Sequence, residues 1–207
     1  MALSDQKTKM QGIEEYYTGK RILVTGATGL VGRVLVEKIL RDLPQIEHLF
    51  ILLRARIHGD KVVSPQERLT QEMFASAVFD RLRLLHGEGF WAFIQDKVTV
   101  VSGDLSRELL GLDLETYQKL QHKIDVIINS AAAVSFDAPL DVALQLNAMG
   151  PRRVMEFAKK CRSVAVAHIS TCYVNGTREG PIEEETLNLR TLTATKRRGR
   201  APSFNIK

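Results

Sequence analysis

Three glycines spaced three apart, Gly26, Gly29 and Gly32, stand between the apolar run Arg21-Ile-Leu-Val-Thr25 and a helix-periodic run of Leu30, Val31, Val34, Leu35, Ile39 and Leu40. Strand, glycine turn and helix in that order make an anion site. Gly26 permits the tight turn, Gly29 lets a pyrophosphate approach the backbone, and Gly32 lets the helix pack close to the strand. The helix N-terminus then offers its free N–H groups to phosphate. Thr25, Thr28 and Leu30 lie within the same loop and are its remaining candidate contacts.

Arg54 and Arg56 follow a second continuous apolar run, His48-Leu-Phe-Ile-Leu-Leu53. In a dinucleotide-binding fold an acidic residue at this place takes the ribose 2′-hydroxyl, whereas arginine accommodates a 2′-phosphate. The first acid downstream is Asp60, beyond a polar loop. The sequence therefore points to NADPH over NADH, with Arg54 the first contact and Arg56 the second; otherwise both are ordinary surface arginines.

Further candidates follow the later apolar runs. Asp104, just past residues 97–101, either accepts from an adenine amino group or caps the next turn. Asn129-Ser-Ala131-Ala-Ala133 supplies small residues against which a flat ring or ribose can lie. Ser170 and Thr171, after the run at 164–169, bring hydroxyls able to hydrogen-bond a carbonyl under reduction. Pro151 has no N–H for the main-chain carbonyl of Asn147, so that oxygen is expected free at a kink.

These positions need a scaffold that carries them to one edge. Strands are expected at 21–25, 48–53, 97–101, 124–128 and 164–169, their apolar continuity being that of parallel strands covered on both faces. Helices are expected at 30–41, 112–121 and from Pro139 through a break at Pro151. Ser64-Pro65-Gln-Glu67 has the pattern of a capping box and opens another helix, to about His86. With the amphipathic turn at 90–94, it makes a helical insertion between the second and third strands. The pattern is that of an α/β, Rossmann-like, doubly wound parallel sheet. Residues 1–19 read as a lead-in, 20–185 as the nucleotide-binding domain, and 186–207 as a basic, disordered tail.

Hydrophobic content of 44% and charged content of 26% belong to a soluble globular chain. No apolar run reaches membrane-spanning length. The polar first residues do not read as a secretory signal, and two cysteines, Cys161 and Cys172, fit a reducing compartment; the expected location is cytoplasmic. The net charge of +5 suggests nucleic acid until it is located. Six of the 29 Lys/Arg lie in residues 190–207, which hold no acid, leaving 23 basic residues against 24 acidic ones elsewhere. The excess belongs to the tail, whose one aromatic residue is Phe204, so no nucleic-acid partner is expected.

The residues resemble an extended short-chain dehydrogenase/reductase, and within that group the male-sterility-type branch, the fatty acyl-CoA reductases and related thioester reductases. The resemblance covers roughly residues 13–185. It rests on Tyr16-Tyr-Thr-Gly-Lys-Arg-Ile-Leu-Val-Thr-Gly-Ala-Thr-Gly29, Leu52-Leu-Arg54, the insertion before Gly103-Asp104-Leu105, and Asn129-Ser-Ala-Ala132. Asn147-Ala-Met-Gly-Pro151 and His168-Ile-Ser-Thr-Cys-Tyr-Val-Asn-Gly176 complete it. It implies that Gly26, Gly29 and Gly32 hold the pyrophosphate and Arg54 the 2′-phosphate. Asp104 and Leu105 would flank adenine, and Ala131 would lie near the nicotinamide ribose, with Asn129 and Ser170 also on the cofactor side. Thr171 would bind the substrate carbonyl, and the main-chain oxygen of Asn147 would hold a water of the proton relay. The implied reaction is hydride transfer from NADPH to a fatty acyl-CoA thioester, giving an aldehyde or, after a second hydride, an alcohol.

The family's proton donor, a tyrosine followed four residues later by lysine, is missing. The residues four after Tyr16, Tyr17, Tyr117 and Tyr173 are Lys20, Arg21, Gln121 and Thr177, and Tyr16 precedes the cofactor loop. The sequence is thus expected to be the cofactor part of such an enzyme, C-terminally truncated. The alternatives are a thioester reductase for carrier-bound acyl groups and a non-catalytic NADPH-binding module that associates through an exposed sheet edge. Cys172 as an acyl-accepting thiol is a further reading.

Overall fold

The computed structural model describes residues 12–59, 61–135, 137–171 and 180–183. The chain forms two compact units, Met1–Ile169 and Ser170–Lys207. In the second, only Ser170, Thr171 and 180–183 are described. The expected tail at 186–207, most of the lead-in, and Cys172 lie outside the described residues.

A short helix α1 (Ile13–Tyr17) leads into β1 (Arg21–Thr25), α2 (Leu30–Asp42) and β2 (His48–Leu53). β5 (Val98–Ser102), β6 (Val126–Asn129) and β7 (Ala165–His168) complete a five-stranded parallel sheet of order β5-β2-β1-β6-β7. The chain thus runs outward from β1 to β5, then returns to the other side of β1 at β6. That reversal opens a crevice at the carboxyl ends of β1 and β6, where open α/β sheets bind ligands.

Alternation along the central strands sends side chains into two cores. Ile22 and Val24 face one, with Val36, Ile39 and Leu40 of α2 and the insertion's Phe74, Phe79, Leu82 and Ile94. Leu23 and Ile127 face the other, with Tyr117 and Leu120 of α6 (Leu114–Gln121) and Val154 and Phe157 of α8 (Gly150–Ala158). Helices therefore cover both faces, as a doubly wound sheet requires. Leu30 and Val31, counted in the helix's apolar run, are 77% and 55% exposed, because they open α2 at the crevice rather than on the core.

The insertion is more broken than its periodicity suggests. β3 (Arg56–His58) and β4 (Lys61–Val63) form an antiparallel hairpin where a polar loop is expected. Strands of three residues are too short to show alternation in sequence. Ser64 then caps α3 (Pro65–Glu67) in the expected reciprocal manner: its Oγ accepts from the Glu67 N–H at 3.2 Å, and its own N–H donates to Glu67 Oε2 at 2.8 Å. The single helix expected from there to about His86 is a π-helical stretch (Arg68–Phe74), a 3-10 turn (Ala77–Phe79) and α4 (Asp80–His86), and the amphipathic turn expected at 90–94 is α5 (Phe90–Lys97). The helix from Pro139 divides ahead of the break expected at Pro151, into α7 (Leu140–Leu144), a π-helical stretch (Gln145–Met149) and α8, with Pro151 in the first turn of α8, where its missing N–H is tolerated.

Phe74 is wholly buried and packs edge-on against Phe79 and Phe90. Phe74→Ala should destabilise the domain by about 3–5 kcal/mol, the usual cost of emptying an aromatic site in a core. Urea unfolding followed by circular dichroism checks this; a loss under about 1 kcal/mol would mean that the insertion is not integral to the core.

Candidate functional site

A cavity of about 560 Å³ opens at the carboxyl ends of β1, β2, β5 and β6. Its base is the glycine loop. Gly26 has a φ of +72°, and a Cβ there would stand 2.5 Å from the Ala131 nitrogen on the neighbouring strand end. A Cβ on Gly32 would meet the Gly26 carbonyl oxygen at 2.2 Å, so helix and turn touch backbone to backbone. Gly29 differs, since a Cβ there meets only the Gly26 oxygen, at 3.3 Å. No side chain caps α2 and no acid sits in its first turn, so the helix presents uncancelled partial positive charge and free N–H groups to the cavity.

A cationic wall stands opposite. Arg54, just past β2, is exposed, lines the cavity and forms no ion pair among the described residues. Arg56 pairs with Glu72 Oε1 at 3.1 Å. Arg68, which the sequence reading passed over, is 5% exposed and also lines the cavity. Its guanidinium donates to the Arg54 carbonyl at 2.7 Å, to Thr28 Oγ1 at 3.3 Å and to Glu72 Oε2 at 3.1 Å. One carboxylate thus serves two of three arginines, and the wall keeps surplus positive charge. Arg68 also ties the end of β2 to the glycine loop. The capping box immediately before it was the sequence signal that could have found it, since that box fixes where the helical stretch begins.

The third side is the loop after β5. Asp104 Oδ1 accepts from the Ser106 N–H and hydroxyl at 2.8 and 2.7 Å, so the capping role is the one its side chain fills, while Asp104 and Leu105 both line the cavity. The loop closes through Asp104 N–H to the Leu110 carbonyl at 2.7 Å. Leu109 and Leu110 both take left-handed conformations (φ 53° and 59°), which cost leucine energy. Burial of Leu110, 1% exposed, offsets that strain.

On the fourth side, Ser130 Oγ donates to the Thr25 carbonyl at 2.8 Å and the Ala131 N–H to Thr25 Oγ1 at 3.3 Å. Thr25, Ser130, Ala131 and Ala132 line the cavity; Asn129 does not. It is 1% exposed and acts from behind, accepting from Thr25 Oγ1 at 2.5 Å. Asn147 also lies off the cavity, though its neighbour Leu146 lines it. The Asn147 amide clamps Ala133, accepting its N–H at 2.7 Å and donating to its carbonyl at 2.9 Å. Ser170 and Thr171 belong to the second unit and are exposed there. Burial pushes the Cys161 thiol up to about 11, which keeps it protonated and unreactive near neutral pH.

The arrangement suits a long, anionic, partly flat ligand: an uncapped helix end for phosphate, surplus arginine beyond it, and small residues along the floor. A family model described as "Male sterility protein", an NAD-binding family, matches residues 24–203. The chain belongs to this family. It is 40% identical over 179 residues to the alcohol-forming fatty acyl-CoA reductase of Simmondsia chinensis, covering 86% of this chain and 36% of that protein. It is 36% identical over 186 residues to the chloroplastic fatty acyl-CoA reductase 2 of Arabidopsis thaliana, covering 89% and 30%. Among solved structures, the terminal R domain of the myxalamid PKS-NRPS biosynthetic pathway superposes with a TM-score of 0.64 at 25% identity, covering 83% of this chain and 40% of that one. The chain spans about a third of the length of the curated relatives it matches. The family and the cradle agree on a nicotinamide dinucleotide as the ligand class.

The glycines separate folding from binding. Gly32→Ala should unfold or severely destabilise the domain, because backbone lies where the methyl must go. Gly29→Ala should melt within a few degrees of the wild type yet lose most dinucleotide affinity, its methyl standing at the mouth of the phosphate cradle. Melting curves and calorimetric NADP⁺ titrations distinguish the two; equal effects at both positions would contradict this division.

Proposed function

We propose that this chain is the cofactor-binding part of an NADPH-dependent fatty acyl-CoA reductase. The observation that carries the reading is the joining of an uncapped α2 N-terminus to a wall of three arginines, two of which share one carboxylate while Arg54 forms no ion pair among the described residues. Bound NADPH would supply the hydride for reduction of the acyl thioester. The N–H groups at the start of α2 would hold the pyrophosphate, with Gly29 leaving the space for it. Arg54 would take the 2′-phosphate, held in place by the Arg68 guanidinium on its carbonyl, with Arg56 at the rim. Asp104 and Leu105 would border the adenine, and Ala131 the nicotinamide ribose. Thr171 would hydrogen-bond the thioester carbonyl, and Asn147 would serve the proton relay while its side chain holds Ala133.

The likeness to fatty acyl-CoA reductases supports acyl-CoA as substrate. The likeness to an R domain of a PKS-NRPS pathway favours a second reading, in which the acyl group arrives on a carrier protein. The 207 residues hold no Tyr-x-x-x-Lys pair beyond the fifth parallel strand. Under either reading these residues bind cofactor, and reduction needs a proton donor that they do not include. Association through the β7 edge of the sheet, in the cytoplasm, fits a chain that works with further sequence.

Calorimetry should show NADPH binding at least about tenfold more tightly than NADH. Arg54→Ala should cost NADPH about 10–100-fold, the worth of one charge-assisted hydrogen bond, and leave NADH nearly unchanged. Equal losses for both cofactors would refute the 2′-phosphate role. Extending the chain with the C-terminal region of the Simmondsia relative and comparing palmitoyl-CoA with a palmitoyl carrier protein decides the substrate. Preference for the carrier would favour the second reading.

A further inference from the structure

Arg153, near the start of α8, is 8% exposed and lies behind the cavity rather than in its lining. Its guanidinium spreads over two segments. Nη1 donates to the Leu105 carbonyl at 3.2 Å and to the Gln145 carbonyl at 3.5 Å, Nη2 to Gln145 Oε1 at 3.0 Å, and Nε to Glu108 Oε1 at 3.1 Å. The segments also approach each other at Gly150, where an added Cβ would stand 3.7 Å from Leu105 Cβ and 3.6 Å from the Gln145 oxygen.

Both segments lead into the cavity. Leu105 lines it beside Asp104, in the loop after β5 that runs on through the left-handed Leu109 and Leu110. Gln145 opens the π-helical stretch whose next residues are Leu146, in the lining, and Asn147, whose amide clamps Ala133. Ala133 directly follows residues 130–132, which form the cavity's fourth side. One planar fork thus fixes the spacing of the third side against the fourth. Lysine in its place would keep the charge but not the fork, and could not hold Leu105, Gln145 and Glu108 together.

We propose that Arg153 is a positioning residue that couples these two sides, so that filling the adenine side of the cavity steadies Asn147 and the loop it clamps. The inference rests on reading that cavity as a dinucleotide site, with Asp104 and Leu105 bordering the adenine. A ligand that orders the Leu105 loop restrains Arg153, and Arg153 passes the restraint to Gln145, Asn147 and Ala133. Glu108 stands outside this route, because its side chain is 79% exposed and its ion pair is screened by solvent.

The probe is 2′,5′-ADP, which carries the adenine and the 2′-phosphate but no nicotinamide ribose that could touch the fourth side itself. Amide hydrogen exchange read by NMR follows the Ala133 N–H, which donates to Asn147 Oδ1. Saturating 2′,5′-ADP should slow that exchange about 10-fold in the wild-type chain. Arg153→Lys should melt within a few degrees of the wild type and bind the probe about 3–10-fold more weakly, with Ala133 exchange no longer responding. Gln145→Ala, at an exposed position, cuts the fork on one side only and should lose the response as well. Glu108→Gln should keep it. An equal response at Ala133 in both fork variants, its loss in Glu108→Gln, or no response in a wild-type chain that binds the probe would overturn the proposal. Failure of 2′,5′-ADP to bind the wild type would sink the dinucleotide reading instead. The ligand-free chains would then decide the coupling, since Arg153→Lys must speed exchange at Asp104 and Ala133 together and Glu108→Gln at neither.

Discussion

Everything at this site depends on how closely backbone meets backbone where β1 turns into α2. The Gly26 carbonyl sits where a Cβ on residue 32 would be, and Gly26 itself lies against Ser130 and Ala131 at the end of β6. Those approaches bring the N-terminus of α2 to the point where the sheet's strand order reverses. A helix set further out would still bury Val36, Ile39 and Leu40, but its free N–H groups would face water rather than a cavity. Packing and binding are therefore one constraint here, and it falls on residues with no side chain to contribute.

The arginine wall shows the complementary use of side chains. Arg68 is almost fully buried, a state that a guanidinium tolerates only when its donors are satisfied. It is satisfied by the loops it must hold together, through the Arg54 carbonyl, the Thr28 hydroxyl and Glu72. Glu72 is shared with Arg56, so the cluster is bound tightly without becoming neutral. The exposed Arg54 is left with its charge uncommitted, on a backbone that its neighbour has fixed.

Much of this was legible in the residues. The glycine spacing, the arginine after the second strand and the Ser64–Glu67 box each encode local geometry that needs no knowledge of distant contacts, and the doubly wound parallel sheet followed from the alternation of elements. What could not be read is what depends on side chains meeting across the fold. Asn129 stands in the right motif, yet its work is done through Thr25, a partner 104 residues away. Arg68 looks like a solvated helix residue until the chain turns it back onto Arg54. The strands of the β3–β4 hairpin are too short to show a period, and the left-handed leucines at 109 and 110 are set by tertiary packing that overrides local preference.

Two helices lose their regular course at the site, the second of them ahead of the break expected at Pro151. A π-turn widens a helix by one residue and shifts the side chains after it around the axis, and such turns gather at functional positions. The stretch Arg68–Phe74 begins on the buried arginine of the cavity wall. The stretch Gln145–Met149 carries Leu146, which lines the cavity, and Asn147, whose amide holds the loop after β6 at Ala133. In regular helices of the same sequence, the residues before and after each insertion could not all keep both their core and their cavity positions. The irregularity lets each helix serve the hydrophobic core with one part and the cavity with the other, which is why a reading by helical period found the helices but missed Arg68 and the clamp.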